Sequence, residues 1–188
     1  MFILYALVVG LALGLLLGGR PAGLSDLRFR WSWLFMAGLL AQVVLFSDPV
    51  TRWIGGLGAP IYIGSTAVVL AAVLVNRRMT GMPIVALGAF SNFAAIVANG
   101  GYMPADPGAL AALGIVAPTV YSNSAVVAHP VLGPLTDLFV LPTWLPYANV
   151  FSVGDVVIAL GVVVVIVSAM RRPAPATANS STPVLART

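Results

Sequence analysis

The chain has 188 residues, of which 60% are hydrophobic and only 7% are charged. Soluble domains carry about 25% charged residues, so this composition excludes a water-soluble globule. The net charge of +4 comes from arginines and aspartates alone, and there is no Cys. Disulfides and thiolate metal sites are therefore excluded, and the single residue His129 cannot build a zinc site by itself. We expect no metal and no cofactor, and the basic residues indicate membrane-flanking loops and no nucleic-acid partner.

The first apolar segment covers residues 2–19 and is just long enough to cross a bilayer. A signal peptide has its positive charge before the apolar region, whereas the first charge here is Arg20, after it. We therefore expect a retained first span. Gly10, Gly14 and Gly18 recur every four residues, a spacing that lets another helix approach closely. This face is either a contact with another membrane protein or the ordinary abundance of Gly in spans.

Four further apolar segments follow, at about 31–46, 59–75, 82–98 and 150–170. Together with the first segment they predict five membrane spans. A membrane domain would thus occupy residues 1–172. The remaining residues, 173–188, are mostly Pro, Ala, Ser and Thr, a composition that predicts a disordered tail.

The loop charges orient these spans. Eight of the nine arginines fall in the loops after spans one, three and five and in the tail, whereas Arg52 alone falls on the other side. Cytoplasmic loops carry the excess of basic residues, so the arginine-rich side is predicted to be cytoplasmic. The predicted fold is an all-α integral membrane protein, a five-span helical bundle with its N-terminus outside and its C-terminus and tail inside.

The loop between spans four and five, residues 99–149, contains no Lys or Arg yet remains apolar. Asp106 and Pro107 suit the N-cap and first position of a short helix, and Gly114 suits its end. Backbone at membrane depth must be buried in protein or line a cavity. We therefore expect a structured apolar outer loop that covers the outer mouth of the bundle and closes a pocket there.

Few polar residues interrupt the spans. Gln42 and Asn92 are predicted to be interhelical hydrogen-bond partners. Asp155, which we place about five residues into the fifth span, is costly in a membrane and is by default a functional candidate. Ser152 and Asp155 also match the S-x-x-D capping box, so helix capping alone would explain this aspartate. Asp137 can likewise cap a short turn.

The sharper hypothesis brings Asp137 and Asp155 together at the outer mouth as a catalytic pair. Two carboxylates in one low-dielectric pocket cannot both ionise cheaply, so one keeps a proton while the other is a base. Such a pair can activate water and protonate a leaving amine. Supporting or substrate-binding roles would fall to four polar residues: Asn92, Asn99, Asn149 and Ser152. The alternative is a non-enzymatic membrane subunit, or a small-solute or proton carrier, in which Asp155 is a cap or an ion site.

Two segments carry a first resemblance. NGGYMPAD, which starts at Asn99, and ANVFSVGDVVIALG, which starts at Ala148, are similar to segments of a family of bacterial multi-span membrane proteins known only as a domain of unknown function. The resemblance covers most of the chain except the tail. It implies a multi-pass protein of the bacterial cytoplasmic membrane and no particular activity.

The C-terminal part also resembles the lipoprotein signal peptidases, which are four-span aspartyl peptidases. Their F-N-x-A-D motif is matched at Phe151 and Asp155, with Ser152 in place of Asn and Gly154 in place of Ala. Their partner aspartate lies slightly under twenty residues earlier, as Asp137 does here. The resemblance implies that Asp137 and Asp155 are the catalytic pair. Their N-x-x-D-R motif has no counterpart in this chain, and the first span is extra.

Overall fold

The computed structural model describes residues 2–115, 122 and 124–172. The chain is mostly helical, and long helices occupy all five segments predicted as spans. In chain order the α-helices are α1 (Phe2–Leu16), α2 (Ser32–Leu45), α3 (Asp48–Thr51), α4 (Gly58–Val75), α5 (Met82–Ala98), α6 (Pro107–Ala112) and α7 (Val153–Met170). The predicted tail, residues 173–188, lies outside the described residues.

The long helices alternate in direction. Gly38 and Gln42 of α2 contact Val69 and Thr66 of α4, so these two helices are antiparallel. A buried cluster joins Tyr62 of α4 to Ala95 and Ile96 of α5 at one end of the bundle. A second cluster joins Val73 of α4 to Met82 and Val85 of α5 at the other end, so these helices are antiparallel too.

The ends of the bundle differ in charge as a result of this alternation. The loops after α1, α4 and α7 lie at one end, which therefore carries seven arginines: Arg20, Arg28, Arg30, Arg77, Arg78, Arg171 and Arg172. The opposite end carries Arg52 and four of the five aspartates, which are Asp48, Asp106, Asp137 and Asp155. The arginine end is the one that the sequence predicts to be cytoplasmic.

The first and last long helices pack in parallel. Gly10 and Gly14 are buried, and a Cβ atom on them would collide with Ile166 and Met170 of α7 respectively. Small residues allow this close approach. The glycine face is therefore covered by the same chain, and a protein partner at this face would have to displace α7. Gly18 has no neighbour within 4 Å of a Cβ and a φ of +73°, so it belongs to the turn that ends α1.

Two helices are shorter than the apolar segments that the sequence predicts as spans. The first helix ends at Leu16, short of the predicted residue 19, because Gly18 turns the chain through the left-handed region. The last helix begins at Val153, later than the predicted residue 150, because residues 150 and 151 form a strand and Ser152 caps the helix. Asp155 is therefore the third residue of α7, in its first turn.

The outer loop contains short strands, so the architecture is not purely helical. Strands β1 (Met103–Pro104) and β2 (Ser124–Ala125) pair in parallel, and β3 (Phe139–Val140) pairs antiparallel with β4 (Val150–Phe151). A bridge between Ala105 and Asp137 joins the two pairs. The short helix α6 forms as predicted, with the Asp106 carboxylate accepting from the Ala109 N–H at 2.8 Å.

Two helical stretches are long and apolar enough to cross a membrane, Gly55–Val75 and Val153–Met170. Three further apolar helices are shorter, α1, α2 and α5. Their outward faces carry large apolar side chains that no other part of the described chain covers. Leu16, Val43 and Leu87 are 81%, 69% and 65% exposed. These faces are suited to an apolar surrounding.

Candidate functional site

Backbone pairing brings Asp137 to the start of α7. The β3–β4 register places Phe139 opposite Phe151 and Val140 opposite Val150. Continued by two residues, an antiparallel register puts Asp137 opposite the first turn of α7. On its other side Asp137 is fixed by β1: its N–H donates to the Pro104 carbonyl at 2.9 Å, and its carbonyl accepts from the Asp106 N–H at 3.0 Å.

Asp155 caps its own helix, as the S-x-x-D spacing predicts. Its Oδ2 accepts from the Ser152 N–H at 2.9 Å and lies 3.1 Å from the Ser152 hydroxyl. The Ser152 hydroxyl oxygen in turn accepts from the Asp155 N–H at 3.1 Å. This reciprocal arrangement satisfies donors that the first turn of a helix otherwise leaves unpaired.

Asn92 extends the cap across to α5. Its Nδ2 donates to Asp155 Oδ1 at 2.8 Å, and its Oδ1 accepts from the Ser152 hydroxyl at 2.9 Å. Gly154 leaves the room for this contact, because a Cβ atom there would collide with Asn92 Oδ1. The predicted interhelical role of Asn92 is confirmed, and its partner is the aspartate of the site. Among the described residues, every side-chain hydrogen bond of Asp155 comes from a donor on Asn92 or Ser152.

One cavity joins the two aspartates. It has a volume of about 410 Å³ and lies between the ends of the long helices and the outer loop. Its polar walls are formed by the side chains of Asp137, Asp155, Gln42, Tyr62, Asn92 and Asn149. Its apolar walls are formed by Phe2, Ile3, Ile96, Met103 and Val150. The sequence predicted a pocket at this end of the bundle, under the outer loop.

Asp137 is the unusual carboxyl group of this cavity. It is only 7% exposed, and its one side-chain hydrogen bond among the described residues comes from the Ser124 hydroxyl at 3.5 Å. Burial, and secondarily the negative charge of Asp155, raise the pKa of Asp137 to about 7. The charge of Asp155 affects the pKa of Asp137 only because the two carboxyl groups lie close together, in agreement with their common cavity.

The other predicted site residues separate into two sets. Ser152 is fully buried in the cap, and Asn149 lies in the cavity wall. The Oδ1 of Asn149 is buried without a hydrogen-bond partner among the described residues. Asn99 is not brought to the site: its side chain bonds the backbone N–H and carbonyl of Val131 at 2.9 and 2.8 Å and so holds the outer loop.

Seven wall residues were not predicted to belong to the site, namely Phe2, Ile3, Gln42, Tyr62, Ile96, Met103 and Val150. Gln42 has its predicted interhelical role, since it donates to the Thr66 hydroxyl at 3.4 Å, and it also faces the cavity. The sequence offered one signal for Gln42, which is that it is the one amide side chain in its predicted span. Phe2 carries no signal in the sequence, because it enters the wall through stacking on Phe151, with ring centroids 4.4 Å apart.

The described residues contain no group of three or more His, Asp or Glu side chains that could hold a metal ion. The polar groups of the cavity are two carboxyls, three amides and a phenol. Groups of these kinds can donate and accept hydrogen bonds, and carboxyls can also exchange protons.

Fold and site together describe a mostly helical chain, with two helices able to cross a membrane and a carboxyl-lined cavity at one end. The chain belongs to a family of unknown function, DUF5317, whose family model matches residues 26–167. The matched range includes Asn92, Asp137 and Asp155 but begins after α1. No curated protein and no solved structure matches the chain significantly.

Proposed function

We propose that the chain is a five-span protein of the bacterial cytoplasmic membrane, with α1, α2, α4, α5 and α7 as spans. Support comes from the alternating helix directions, the apolar outward faces and the collection of seven arginines at one end. Basic residues accumulate on the cytoplasmic side, so the arginine end faces the cytoplasm and the cavity faces outward.

The absence of native cysteine makes this topology directly testable. Single cysteines replace Trp144, in the outer loop, and Arg171, at the end of α7, and intact cells are treated with a membrane-impermeant maleimide. We expect labelling of the first variant in intact cells and of the second only after lysis. Labelling of both from outside, or of Arg171→Cys alone, would reject the proposed orientation.

We further propose that the cavity is the site of an aspartate-pair hydrolase acting on amide bonds. The observation that carries this is the asymmetry of two carboxyls in one cavity. Donors surround Asp155, whereas the buried Asp137 has one long side-chain hydrogen bond among the described residues. This asymmetry fits a division of roles in which Asp155 is the base and Asp137 the protonated acid.

The chemistry follows from that division. Asp155 takes a proton from a water molecule, and the water oxygen bonds to the amide carbonyl carbon. As the carbon–nitrogen bond breaks, Asp137 gives its proton to the leaving amine. The products are a carboxylic acid and an amine, and the proton accepted by Asp155 restores Asp137 through solvent. A positioned acid or base contributes about 10²–10⁴-fold in rate.

The test is hydrolysis of a defined peptide mixture by the purified protein in detergent, with cleavage sites identified by mass spectrometry in ¹⁸O-labelled water. We expect cleavage with one ¹⁸O atom incorporated, and a loss of about 100-fold or more in Asp137→Asn and in Asp155→Asn. Asp48→Asn is the matched control, because Asp48 is exposed at the same end of the bundle and does not line the cavity. Cleavage that persists in both site variants contradicts the proposal.

A second candidate is a non-enzymatic membrane protein, a subunit or a carrier of a small solute or a proton. The capping box favours it, because every side-chain hydrogen bond of Asp155 is one that also holds the start of α7 in place. This candidate predicts that the peptide mixture stays intact while Asp155→Asn lowers the stability of the protein. Peptide cleavage and protein stability, both measured on Asp155→Asn, therefore separate the two candidates.

A further inference from the structure

The cavity is a negatively charged compartment. Two of its eleven lining residues are aspartates, and none is Arg or His. Seven of the arginines lie at the opposite end of the bundle, and Arg52, at the same end, is exposed and not part of the wall. Charge in a partly enclosed, low-dielectric pocket acts strongly on any ion that enters it.

Among the described residues, Asp137 is the carboxyl group of this cavity that has unused acceptor capacity. An ionised carboxylate offers about four lone-pair sites, and Asp137 fills one with the long bond from Ser124. Asp155, in contrast, receives bonds on both oxygens. Buried polar groups in native proteins are nearly always hydrogen-bonded. A buried carboxyl that is only 7% exposed, faces a cavity and has so few partners among the described residues points to a ligand that donates hydrogen bonds.

The rest of the wall restricts the kind of donor. Phe2, Ile3, Ile96 and Met103 form an apolar side, and the ring of Tyr62 adds an aromatic surface. A ligand that fits has a cationic head able to donate to Asp137 and a short apolar body. Aromatic rings also attract a cation placed over their faces. An anionic ligand would meet the repulsion of Asp155.

We propose that this cavity binds small primary ammonium compounds, with the ammonium group donating to Asp137 and the carbon chain against the apolar wall. This binding function is separate from hydrolysis. The same site would bind a solute that the protein carries or the amine that leaves an amide substrate.

The charged and titratable groups around Asp137 set the pH at which the site accepts a cation. Asp155 faces it from α7, and Tyr62 lines the same cavity from α4. Asp106, next to β1, gives Asp137 only its backbone N–H, because its side chain caps α6. Since the pKa of Asp137 is about 7, the cavity gains a negative charge at Asp137 as the pH rises through neutrality. Binding of a permanently cationic amine should strengthen over that range.

The experiment uses saturation-transfer NMR on the full-length protein in detergent, with n-propylammonium, propionate and 1-propanol as probes. Alkylammonium groups, like Lys, titrate near 10.4 and stay cationic between pH 5.5 and 8. We expect n-propylammonium to bind, at least tenfold more tightly at pH 8 than at pH 5.5, and propionate and 1-propanol to show no saturable binding. Asp137→Asn should abolish the pH dependence and weaken binding at pH 8 about tenfold, with Asp48→Asn unchanged.

Two outcomes overturn the proposal. One is saturable binding of propionate or 1-propanol that equals that of the amine, which would indicate an unselective apolar pocket. The other is amine binding by the native protein that does not change between pH 5.5 and 8, a result that needs no variant to fold. If the native protein binds the amine but cleaves no peptide, the hydrolase proposal is rejected and the proposed ammonium site stands.

Discussion

Asn92 Nδ2 donates to Asp155 Oδ1 at 2.8 Å across 63 positions of the chain. The bond joins α5 to the first turn of α7, and the same amide accepts from Ser152. The start of α7 is therefore held from two sides, by its own cap and by a neighbouring helix. A carboxylate fixed in this way points in one direction, which a site that transfers protons requires.

Asn92→Leu should lower the free energy of unfolding by about 2 kcal/mol. The substitution keeps the approximate volume but removes a donor from Asp155 and an acceptor from Ser152, and buried groups left unpaired cost about 1–3 kcal/mol. The measurement is equilibrium unfolding in detergent. Ser91→Ala is the matched control, because Ser91 lines a different pocket, an apolar groove that it shares with Leu87 and Val157. Equal losses in the two variants would contradict the role assigned to Asn92.

Ser152→Ala should cost about 1 kcal/mol as the loss of a helix N-cap. Its effect should not add to that of Asn92→Leu, because the two side chains belong to one hydrogen-bonded ring with Asp155. A double-mutant cycle should give a coupling of about 0.5 kcal/mol or more. Strict additivity would mean that Asn92 and the cap act independently.

Gly154→Ala should destabilise the protein, although Ala favours helices more than Gly does. The new Cβ would collide with Asn92 Oδ1 and lie 3.0 Å from the Gly88 carbonyl oxygen. Gly64→Ala is the opposite case, since no atom lies within 4 Å of its Cβ position in α4. That control should be neutral or more stable by up to about 1 kcal/mol. The two thermal transitions, compared in one detergent, check the difference in sign.

The stability of the protein should fall as the pH rises from about 4 to about 7. The pKa of Asp137 is raised from 3.8 to about 7 on folding, so the folded state holds a proton that the unfolded state has lost. The contribution is fully present below pH 4 and is lost as the pH passes 7. Asp137→Asn should remove this slope from a plot of transition temperature against pH. A slope that survives in the variant would have to come from another group.

Local patterns predicted the helical parts of the fold well. Apolar runs of sufficient length predicted all five long helices, and the cap at Asp106 predicted the start of α6. The S-x-x-D spacing predicted the cap at Ser152, although the apolar run placed the helix start at residue 150. Boundaries failed where an adjoining structure competed with the helix. Residues 150 and 151 are as apolar as those that follow, but their pairing with β3 keeps them extended.

The site was predicted only in part, because long-range packing places most of its walls. The two aspartates and Asn92 stand out as polar residues in or near spans, and Asp155 and Asn92 could be named from that alone. Asn99 stands out equally, yet it holds the loop at Val131, and nothing local distinguishes the two asparagines. Phe2 and Tyr62 reach the cavity through packing between helices, which a single sequence does not encode by spacing.

The parallel contact between α1 and α7 has a consequence for biosynthesis. The Tyr5 hydroxyl donates to the Pro146 carbonyl, 141 positions later, and Gly10 and Gly14 are covered by the last helix. Helix α1 leaves the ribosome long before α7 exists, so its glycine face stays uncovered by α7 until that helix is made. Only when α7 has been made can it cover that face and complete the cavity wall. A chain that stops before α7 would therefore lack Asp155 and the part of the cavity wall that it forms.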